Sequence, residues 1–260
     1  MSHTGRFVWY DLLTNDREAA VRFYGAVLGW GTQPFEIPGK EPYLMWTRNG
    51  TPIGGSMTMP TAEIDAGVKP HWLGYVAVDD VDASVAKAGS LGGKTLVPPT
   101  DIPTVGRFSV LEDPQGAFFA VYRALQPGTA PSEPQEGDVS WHELATRDVE
   151  AGFAFYRDLF GWQEASRYDM GEMGTYLMFA PPGAAVPQGM AGGISVMPGK
   201  PAWLYYVRVG ELDAALERVR KHHGQVAHGP MEVPGGDHIA QCFDPQGGPF
   251  ALHERKRAAS

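Results

Sequence analysis

One pattern of acidic and aromatic residues occurs twice in this sequence and could do chemistry. Trp9 and Asp11 stand two residues apart, and Trp141 and Glu143 repeat that spacing 132 residues later. A carboxylate beside an indole can serve as a general base or accept a hydrogen bond from a small polar ligand, so Asp11 and Glu143 are the candidate catalytic residues. The alternative is structural: each carboxylate is hydrogen-bonded inside the protein and each tryptophan belongs to a core. The sequence leaves both interpretations open.

Other aromatic and imidazole side chains are candidates for ligand binding, together with Trp9 and Trp141. Trp72 and Trp203 lie in two further strand-like segments and could supply aromatic walls. His71 and His253 stand at the ends of strand-like segments. Because imidazole also binds transition metals, Glu143, His253 and a third group form an alternative metal site.

A strand followed by a helix must position each acid. Residues 7–14 are β-branched, aromatic and mostly apolar, which predicts a strand. Asn15 or Asp16 can cap the helix that follows, and Gly29 can end it in a left-handed conformation. The same opening recurs over residues 139–161, and related strand–helix pairs begin at His71 and at Ala202.

Two further features recur and define the organisation of the chain. Gly54-Gly55 is matched with Gly192-Gly193, and the Asp-Pro-Gln-Gly turn at 113–116 is matched by 244–247. Each half therefore contains two β-α-β-β-β modules. The proline-rich segment 124–138 is typical of a linker, so we expect one domain over residues 1–123 and a second over 139–260.

The composition excludes several classes of protein. The net charge is −9, which disfavours binding to nucleic acid because an acidic chain repels phosphates. No apolar run is long enough to span a membrane, and the N-terminus has no apolar leader. The chain has one cysteine, Cys242, so no intramolecular disulfide can form. We therefore expect a cytoplasmic protein that binds neither membranes nor nucleic acid.

Together these features resemble the vicinal-oxygen-chelate superfamily, the glyoxalase and bleomycin-resistance-like proteins. The resemblance rests on Phe23-Tyr24 and Leu28-Gly29-Trp30, the Gly-Gly pair and the Asp-Pro-Gln-Gly turn, and it spans nearly the whole chain. It is greatest to tandem two-domain bacterial members that are labelled glyoxalase-like or hydroxylase. The resemblance implies an α+β fold of two glyoxalase-like domains, in which each pair of βαβββ modules curls into an incomplete barrel around a cavity.

The resemblance also implies where a divalent metal would bind, on the first, fourth, fifth and eighth strands of a domain. In the first domain these positions fall on Asp11, Ser56 or Met57, Leu73 and Ala120. In the second domain they fall on Glu143, Ile194 or Ser195, Leu204 and Ala251. One carboxylate per domain cannot hold a hard cation, because leucine and alanine have no lone pairs to offer. We therefore expect no metal site of the family pattern and no cofactor.

Three functions are compatible with these residues, and the sequence leaves open whether the protein is an enzyme. The first is a tandem glyoxalase-like protein that binds or transforms a small organic molecule in its cavities without a metal. The second is a metal-dependent lyase, dioxygenase or hydroxylase with ligands at other positions. The third is a bleomycin-resistance-type protein that sequesters a drug or metabolite. We also expect a monomer, because the tandem copy could replace the dimer of single-domain relatives.

Overall fold

The computed structural model describes residues 4–37, 41–65, 67–126, 133–171, 174–183, 188–192 and 200–256. The helices are α1 (Arg17–Leu28), α2 (Thr61–Asp65), α3 (Val81–Ser90), α4 (Val149–Phe160) and α5 (Leu212–Lys221). The strands of the first half are β1 (Phe7–Thr14), β2 (Gly31–Phe35), β3 (Tyr43–Arg48), β4 (Thr51–Thr58), β5 (His71–Ala77), β6 (Lys94–Ile102), β7 (Gly106–Glu112) and β8 (Phe118–Ala124). Those of the second half are β9 (Val139–Thr146), β10 (Gln163–Asp169), β11 (Thr175–Ala180), β12 (Gln188–Gly192), β13 (Ala202–Val209), β14 (Gln225–Glu232), β15 (His238–Phe243) and β16 (Pro249–Glu254).

These elements form four β-α-β-β-β modules, as the sequence predicts. Module 1 runs from β1 to β4, module 2 from β5 to β8, module 3 from β9 to β12 and module 4 from β13 to β16. The strand order is β2-β3-β4-β1-β5-β8-β7-β6 in the first half and β10-β11-β12-β9-β13-β16-β15-β14 in the second. In each module the last strand runs parallel to the first. The predicted α+β class is confirmed, and both sheets are open.

Local sequence signals account for the helix ends and for one hairpin. The Asp16 side chain accepts a hydrogen bond from Ala19 N at the start of α1, and Gly29 ends that helix with a φ of 72°. Asp148 and Gly161 do the same for α4. Asn49 and Gly50 both have positive φ between β3 and β4, which is the geometry of a two-residue hairpin turn.

The strand that follows each long helix is the element that sequence patterns did not reveal. These four strands (β2, β6, β10 and β14) lie at the edges of the two sheets. They are polar and largely exposed, and β6 contains two prolines. An edge strand tolerates proline because one of its sides needs no hydrogen-bond donors. Their alternation of polar and apolar residues is therefore too weak to predict a strand.

The chain divides into two compact units, each of which combines a module from either half. One unit contains Met1–Trp9, Leu73–Ser132 and His142–Trp203, and so is built mainly from modules 2 and 3. The other contains Tyr10–Trp72, Glu133–Trp141 and Leu204–Ser260, and so is built mainly from modules 1 and 4. The predicted domain boundaries follow the halves of the sequence and stay a prediction. Residues 127–132 of the predicted linker lie outside the described residues.

The Asp-Pro-Gln-Gly turns join the two modules of each unit. In the unit of modules 1 and 4, Gln246 Oε1 accepts hydrogen bonds from Thr14 Oγ1 at 2.9 Å and Asp16 N at 3.0 Å. Its Nε2 donates to Asp16 O at 2.9 Å. Gln115 makes the matching pair of bonds with the backbone of Asp148 in the other unit. Each turn therefore holds the N-terminus of a helix that belongs to the partner module.

Aromatic side chains and one buried acid fill the core of each unit. Trp72 Nε1 donates to Tyr24 Oη at 3.1 Å, and Tyr24 Oη donates to Asp244 Oδ2 at 3.1 Å. In the other unit Trp203, Tyr156 and Asp113 form the same chain of hydrogen bonds, at 3.0 Å each. Burial raises the pKa of both aspartates, and hydrogen bonds from backbone N–H groups and from the tyrosine hydroxyl partly offset this rise. Trp72 and Trp203 are thus buried in the cores of the two units, and their predicted role in ligand binding stays a prediction. Among the described helices, none is long and apolar enough to cross a membrane.

Candidate functional site

The first candidate carboxylate, Asp11, is buried and hydrogen-bonded to a tyrosine. Asp11 lies in the middle of β1 and only 3% of it is exposed. The Tyr43 hydroxyl, from β3, donates to Asp11 Oδ1. Since β4 lies between β3 and β1, the tyrosine reaches across an intervening strand to make this contact. The sheet therefore holds a phenol and a carboxylate together on one face.

The Gly-Gly pair of β4 explains how this contact fits. Gly55 lies opposite Asp11 in the parallel β1–β4 ladder. A Cβ at Gly55 would lie 1.7 Å from Tyr43 Oη and 2.7 Å from Asp11 Oδ1. A Cβ at Gly54 would lie 2.4 Å from the carbonyl oxygen of Tyr10. Glycine at position 54 makes room for the backbone, and glycine at position 55 makes room for the contact between Tyr43 and Asp11.

The second half contains the same pair of groups. Glu143 is 7% exposed, and Tyr176 Oη donates to Glu143 Oε2 at 3.1 Å. The residue opposite Glu143 in the β9–β12 ladder is Gly189. The sequence match of Gly192-Gly193 with Gly54-Gly55 is therefore displaced in the structure, where Gly192 pairs with Thr146. Gly193 lies outside the described residues.

The two tyrosines were not among the residues predicted from the sequence. A signal for them exists, because Tyr-Leu-Met occurs at 43–45 and again at 176–178. Each tyrosine lies more than thirty positions from its carboxylate (43 − 11 = 32; 176 − 143 = 33). Only the strand register shows that the two groups meet.

In the first half, the positions at which the family resemblance implies a metal offer too few donors. Ser56 pairs with Leu12, the neighbour of Asp11, so its side chain points to the opposite face of the sheet. Met57 shares the face of Asp11, but a thioether prefers soft metals. Leu73 and Ala120 are buried and offer only carbon atoms. These residues do not fit the family's metal.

The second half gives the same result as far as the structure describes it. Leu204 and Ala251 are buried, and both lack a donor atom. Ile194 and Ser195 lie outside the described residues. Within the described part of the chain, no three His, Cys, Asp or Glu side chains come close enough to hold a metal ion. The alternative metal site predicted on Glu143 and His253 is not among such groups in the described residues.

The remaining predicted binding residues lie in different surroundings. Trp9 and Trp141 are half-buried in β1 and β9. His71 begins β5, is half-buried, and its Nδ1 lies 3.0 Å from the carbonyl oxygen of Lys69. His253, in β16, has contacts at both ring nitrogens: Nδ1 lies 2.8 Å from Ser140 Oγ and Nε2 lies 2.9 Å from Asp237 Oδ2.

A second polar pair lies on the same sheet face as His253. Gln241 Nε2 donates to Tyr206 Oη at 2.9 Å, and both side chains are buried. Tyr206 and Gln241 both pair with Ala251, which is two residues before His253 in β16. Side chains two residues apart in a strand share a face. This face of module 4 therefore carries the polar side chains of Tyr206, Gln241 and His253 around the small apolar side chain of Ala251.

Two buried titratable residues stay neutral near pH 7. Burial lowers the pKa of His142 to about 3, and its ring stacks on Phe7 with centroids 4.3 Å apart. Burial raises the pKa of the Cys242 thiol to about 12. A thiol that stays protonated is a poor nucleophile, and Cys242 is fully buried, so its role is in packing.

Comparison with known proteins supports one family. Residues 6–121 and 139–252 match the model of the Glyoxalase/Bleomycin resistance protein/Dioxygenase superfamily. The chain is 33% identical over 246 residues to a Mycobacterium bovis protein named "Putative glyoxylase CFP32", covering 94% of this chain and 92% of that protein. It is 28% identical over 272 residues to the anthracycline biosynthesis protein DauV of Streptomyces sp. (strain C5), covering 98% and 94%.

A solved structure shows the same fold. The 2,3-dioxygenase LapB from Pseudomonas sp. KL28 superposes with a TM-score of 0.68 at 12% identity, covering 100% of this chain and 95% of that chain. Two family matches, one per half, agree with the four modules and with the repeated motifs. The chain is a tandem member of the glyoxalase, bleomycin-resistance and dioxygenase superfamily.

Proposed function

We propose that this protein binds, and acts on, a small aromatic molecule with hydroxyl or carbonyl groups at its tyrosine–carboxylate pairs. The observation that carries the proposal is the duplicated pair itself, Tyr43 with Asp11 and Tyr176 with Glu143. The tyrosine donor offsets part of the cost of burying each carboxylate, and the repetition of the whole pair in both halves supports a role in binding. Both acids also stand at the first-strand position, where the family resemblance implies a residue that binds a metal in the cavity.

The chemistry of the pair suits a hydroxylated ligand. An ionised carboxylate accepts several hydrogen bonds, and a phenol both donates and accepts. Such a pair can orient a ligand hydroxyl and take its proton as a general base. The relative named for anthracycline biosynthesis supports an aromatic ligand, because anthracyclines are polycyclic aromatic molecules with hydroxyl and carbonyl groups.

The test is ligand binding by matched variants. An anthracycline serves as the probe, its affinity measured by calorimetry for the natural protein and for Tyr43→Phe, Asp11→Asn, Tyr176→Phe and Glu143→Gln. We expect the variants in one half or both to weaken binding by about 10- to 150-fold, because a hydrogen bond to a charged group contributes about 1.5–3 kcal/mol. Exposed Tyr168→Phe is the matched control and should bind like the natural protein.

Two outcomes would decide against the proposal. Unchanged affinity in all four variants would show that the pairs are structural. Elemental analysis of protein purified without a metal-chelating tag is the second measurement, and a near-stoichiometric transition metal would favour the metal-dependent enzyme instead. Product formation, followed by mass spectrometry of the probe, distinguishes transformation from sequestration of the drug.

A further inference from the structure

Ser140, His253 and Asp237 form a hydrogen-bonded array within one compact unit. Ser140 Oγ lies 2.8 Å from His253 Nδ1, and His253 Nε2 lies 2.9 Å from Asp237 Oδ2. Ser140 comes from the start of β9, His253 from β16 and Asp237 from the turn before β15. Residues so far apart in sequence meet because backbone hydrogen bonds from Gly137 N to Arg208 O and from Arg208 N to Asp138 O attach the start of β9 to β13.

For a neutral imidazole, the contacts assign a direction to each hydrogen bond of the array. The Asp237 carboxylate only accepts, so the proton of a neutral imidazole sits on Nε2. His253 Nδ1 then carries the lone pair and accepts the proton of the Ser140 hydroxyl. Asp237 is itself held, because its Oδ1 accepts from Lys256 N at 2.9 Å. The array is therefore a hydroxyl, a base and a carboxylate that orients the base.

The serine hydroxyl has a second acceptor within reach, and it is the more distant one. The carbonyl oxygen of Tyr206 lies 3.2 Å from Ser140 Oγ, whereas the imidazole nitrogen lies at 2.8 Å. A hydroxyl has a single proton to donate. Donation to Tyr206 O and donation to His253 Nδ1 are therefore alternatives, and the shorter contact to the more basic group is the one that can activate the serine. The His253 and Asp237 side chains are 14% and 31% exposed, so the base is mostly shielded from water.

The first half lacks all three groups at the matching positions. Val8 corresponds to Ser140, Tyr122 to His253 and Gly106 to Asp237. A Cβ at Gly106 would lie 2.3 Å from the carbonyl oxygen of Arg123 and 2.7 Å from a ring carbon of Tyr122, so backbone and tyrosine leave no room there for a side chain. The shared fold therefore does not require the array. A role particular to the second half explains why it is present there.

We propose that Ser140 is a nucleophile for acyl transfer, with His253 as its general base and Asp237 as the residue that positions His253. The substrate class is an activated carboxylic ester, such as an aryl ester. Ser140 Oγ adds to the carbonyl carbon while its proton moves to His253 Nδ1. The C–O bond to the leaving alcohol then breaks, and that alcohol takes the proton from His253. Water, deprotonated by His253, hydrolyses the acyl-serine to release the acid, so the net reaction is ester plus water to acid plus alcohol.

A fluorophosphonate is the probe, because it reports on the nucleophile without knowledge of the natural ester. Attack by Ser140 forms an O–P bond, breaks the P–F bond and releases fluoride and the serine proton. We expect intact-protein mass spectrometry to show one adduct, and peptide mapping to place it on Ser140. Heat-denatured protein is the first control and should not react. An adduct only on other residues, or equal labelling of folded and denatured protein, would overturn the proposal.

Variants test each role separately. Ser140→Val copies the first half, so it should fold and lose both labelling and hydrolysis of p-nitrophenyl acetate. His253→Asn should slow labelling by about 10²- to 10⁴-fold, the usual contribution of a general base. Asp237→Asn should slow labelling and also shift the imidazole proton to Nδ1, which ¹⁵N NMR of the ring detects and a merely structural role would not produce. Hydrolysis by Ser140→Val at the natural rate would refute the assignment.

The array is independent of the tyrosine–carboxylate pairs proposed above. Tyr168→Phe, at an exposed residue that belongs to neither site, should label at the natural rate, since Tyr168 makes none of the Ser140 contacts. Loss of anthracycline binding with labelling intact would leave the nucleophile standing, and the reverse result would leave the ligand site standing.

Discussion

At the scale of single residues, the candidate chemistry rests on one repeated arrangement, a buried acid that accepts a hydrogen bond from a tyrosine two strands away. Asp11 and Glu143 differ by one methylene, yet each meets its tyrosine. In each half a glycine, Gly55 or Gly189, stands opposite the acid on the intervening strand. Each pair therefore depends on three strands: two carry the side chains in contact, and the strand between them places a glycine opposite the acid.

A second property at the scale of residues is the cost of burying His142. Its pKa is about 3 in the folded protein, against an ordinary value of 6.5. Between these values the unfolded chain binds a proton at this residue and the folded chain does not. The stability that His142 contributes is therefore fully present above about pH 6.5 and is lost as pH falls toward 3. The free energy of unfolding should fall by about 1.4 kcal/mol per pH unit from this residue.

Chemical denaturation of the natural protein and of His142→Phe, from about pH 6 to about pH 4, measures this slope. Phenylalanine keeps the stacking on Phe7 and cannot titrate, so the variant should gain stability relative to the natural protein by about 1.4 kcal/mol for each unit of acidification. Imidazole NMR provides a direct check. A ring that is protonated in the folded protein at pH 5 would contradict the prediction.

The acids could be predicted from the sequence, but their partners could not. Duplication marks Asp11 and Glu143 because the motif around each is long. Tyr43 and Tyr176 meet the acids only through strand register, which a sequence does not display. The Ser140 array is harder still to predict from the sequence, because its members come from the start of one strand, the end of another and a turn. The sequence predicts Trp72 and Trp203 as binding residues, but residue type alone does not distinguish an aromatic side chain in a core from one that lines a ligand site.

At the scale of elements, glycine decides whether two strands can bring their side chains together. Gly55→Ala would place a Cβ on the Tyr43–Asp11 contact, so the tyrosine must move and the buried carboxylate loses a donor. We expect the free energy of unfolding to fall by about 1–3 kcal/mol, the cost of an unsatisfied buried polar group. Urea denaturation followed by circular dichroism measures it.

Gly89→Ala is the matched control for this substitution. Gly89 lies in α3, is exposed, and a Cβ there would meet nothing within 4 Å. Alanine in a helix is more stable than glycine by about 0.5–1 kcal/mol, so this variant should unfold at a higher urea concentration. Equal effects of the two substitutions would show that the Tyr43–Asp11 contact does not depend on space at Gly55.

Elements with side chains packed against a core could be predicted from the sequence, whereas elements exposed to solvent could not. The strands that open each module are apolar and flanked by caps, and their bounds match the structure within a residue or two. The edge strands β2, β6, β10 and β14 are held by one neighbouring strand and carry polar residues or proline. The β12 register differs from the Gly-Gly alignment for a related reason, because glycine-rich strands specify register weakly.

At the scale of the whole molecule, the order of modules in sequence differs from their grouping in space. Module 1 packs with module 4, where Tyr24 contacts Asp244 and Gln246 contacts Thr14. Module 2 packs with module 3, where Tyr156 contacts Asp113. Each half therefore carries two surfaces that only the other half covers. We propose that the intact chain is a monomer for this reason, and a stable dimer in light scattering would count against that.

Cutting the chain within residues 127–132 tests this organisation. Neither half contains a complete unit, so the first fragment alone leaves Phe23 and Phe119 without their aromatic partners in the second, which are Phe250 and Tyr156. We expect single fragments to aggregate or to dimerise through their related modules. When the two are co-expressed, with an affinity tag on one, they should co-purify in equal amounts and melt cooperatively. The contrary result would be a first fragment that stays monomeric and unfolds as cooperatively as the full chain. Modules 1 and 2 would then form a stable fold without the second half, and the packing of module 1 on 4 and of module 2 on 3 would contribute little to stability.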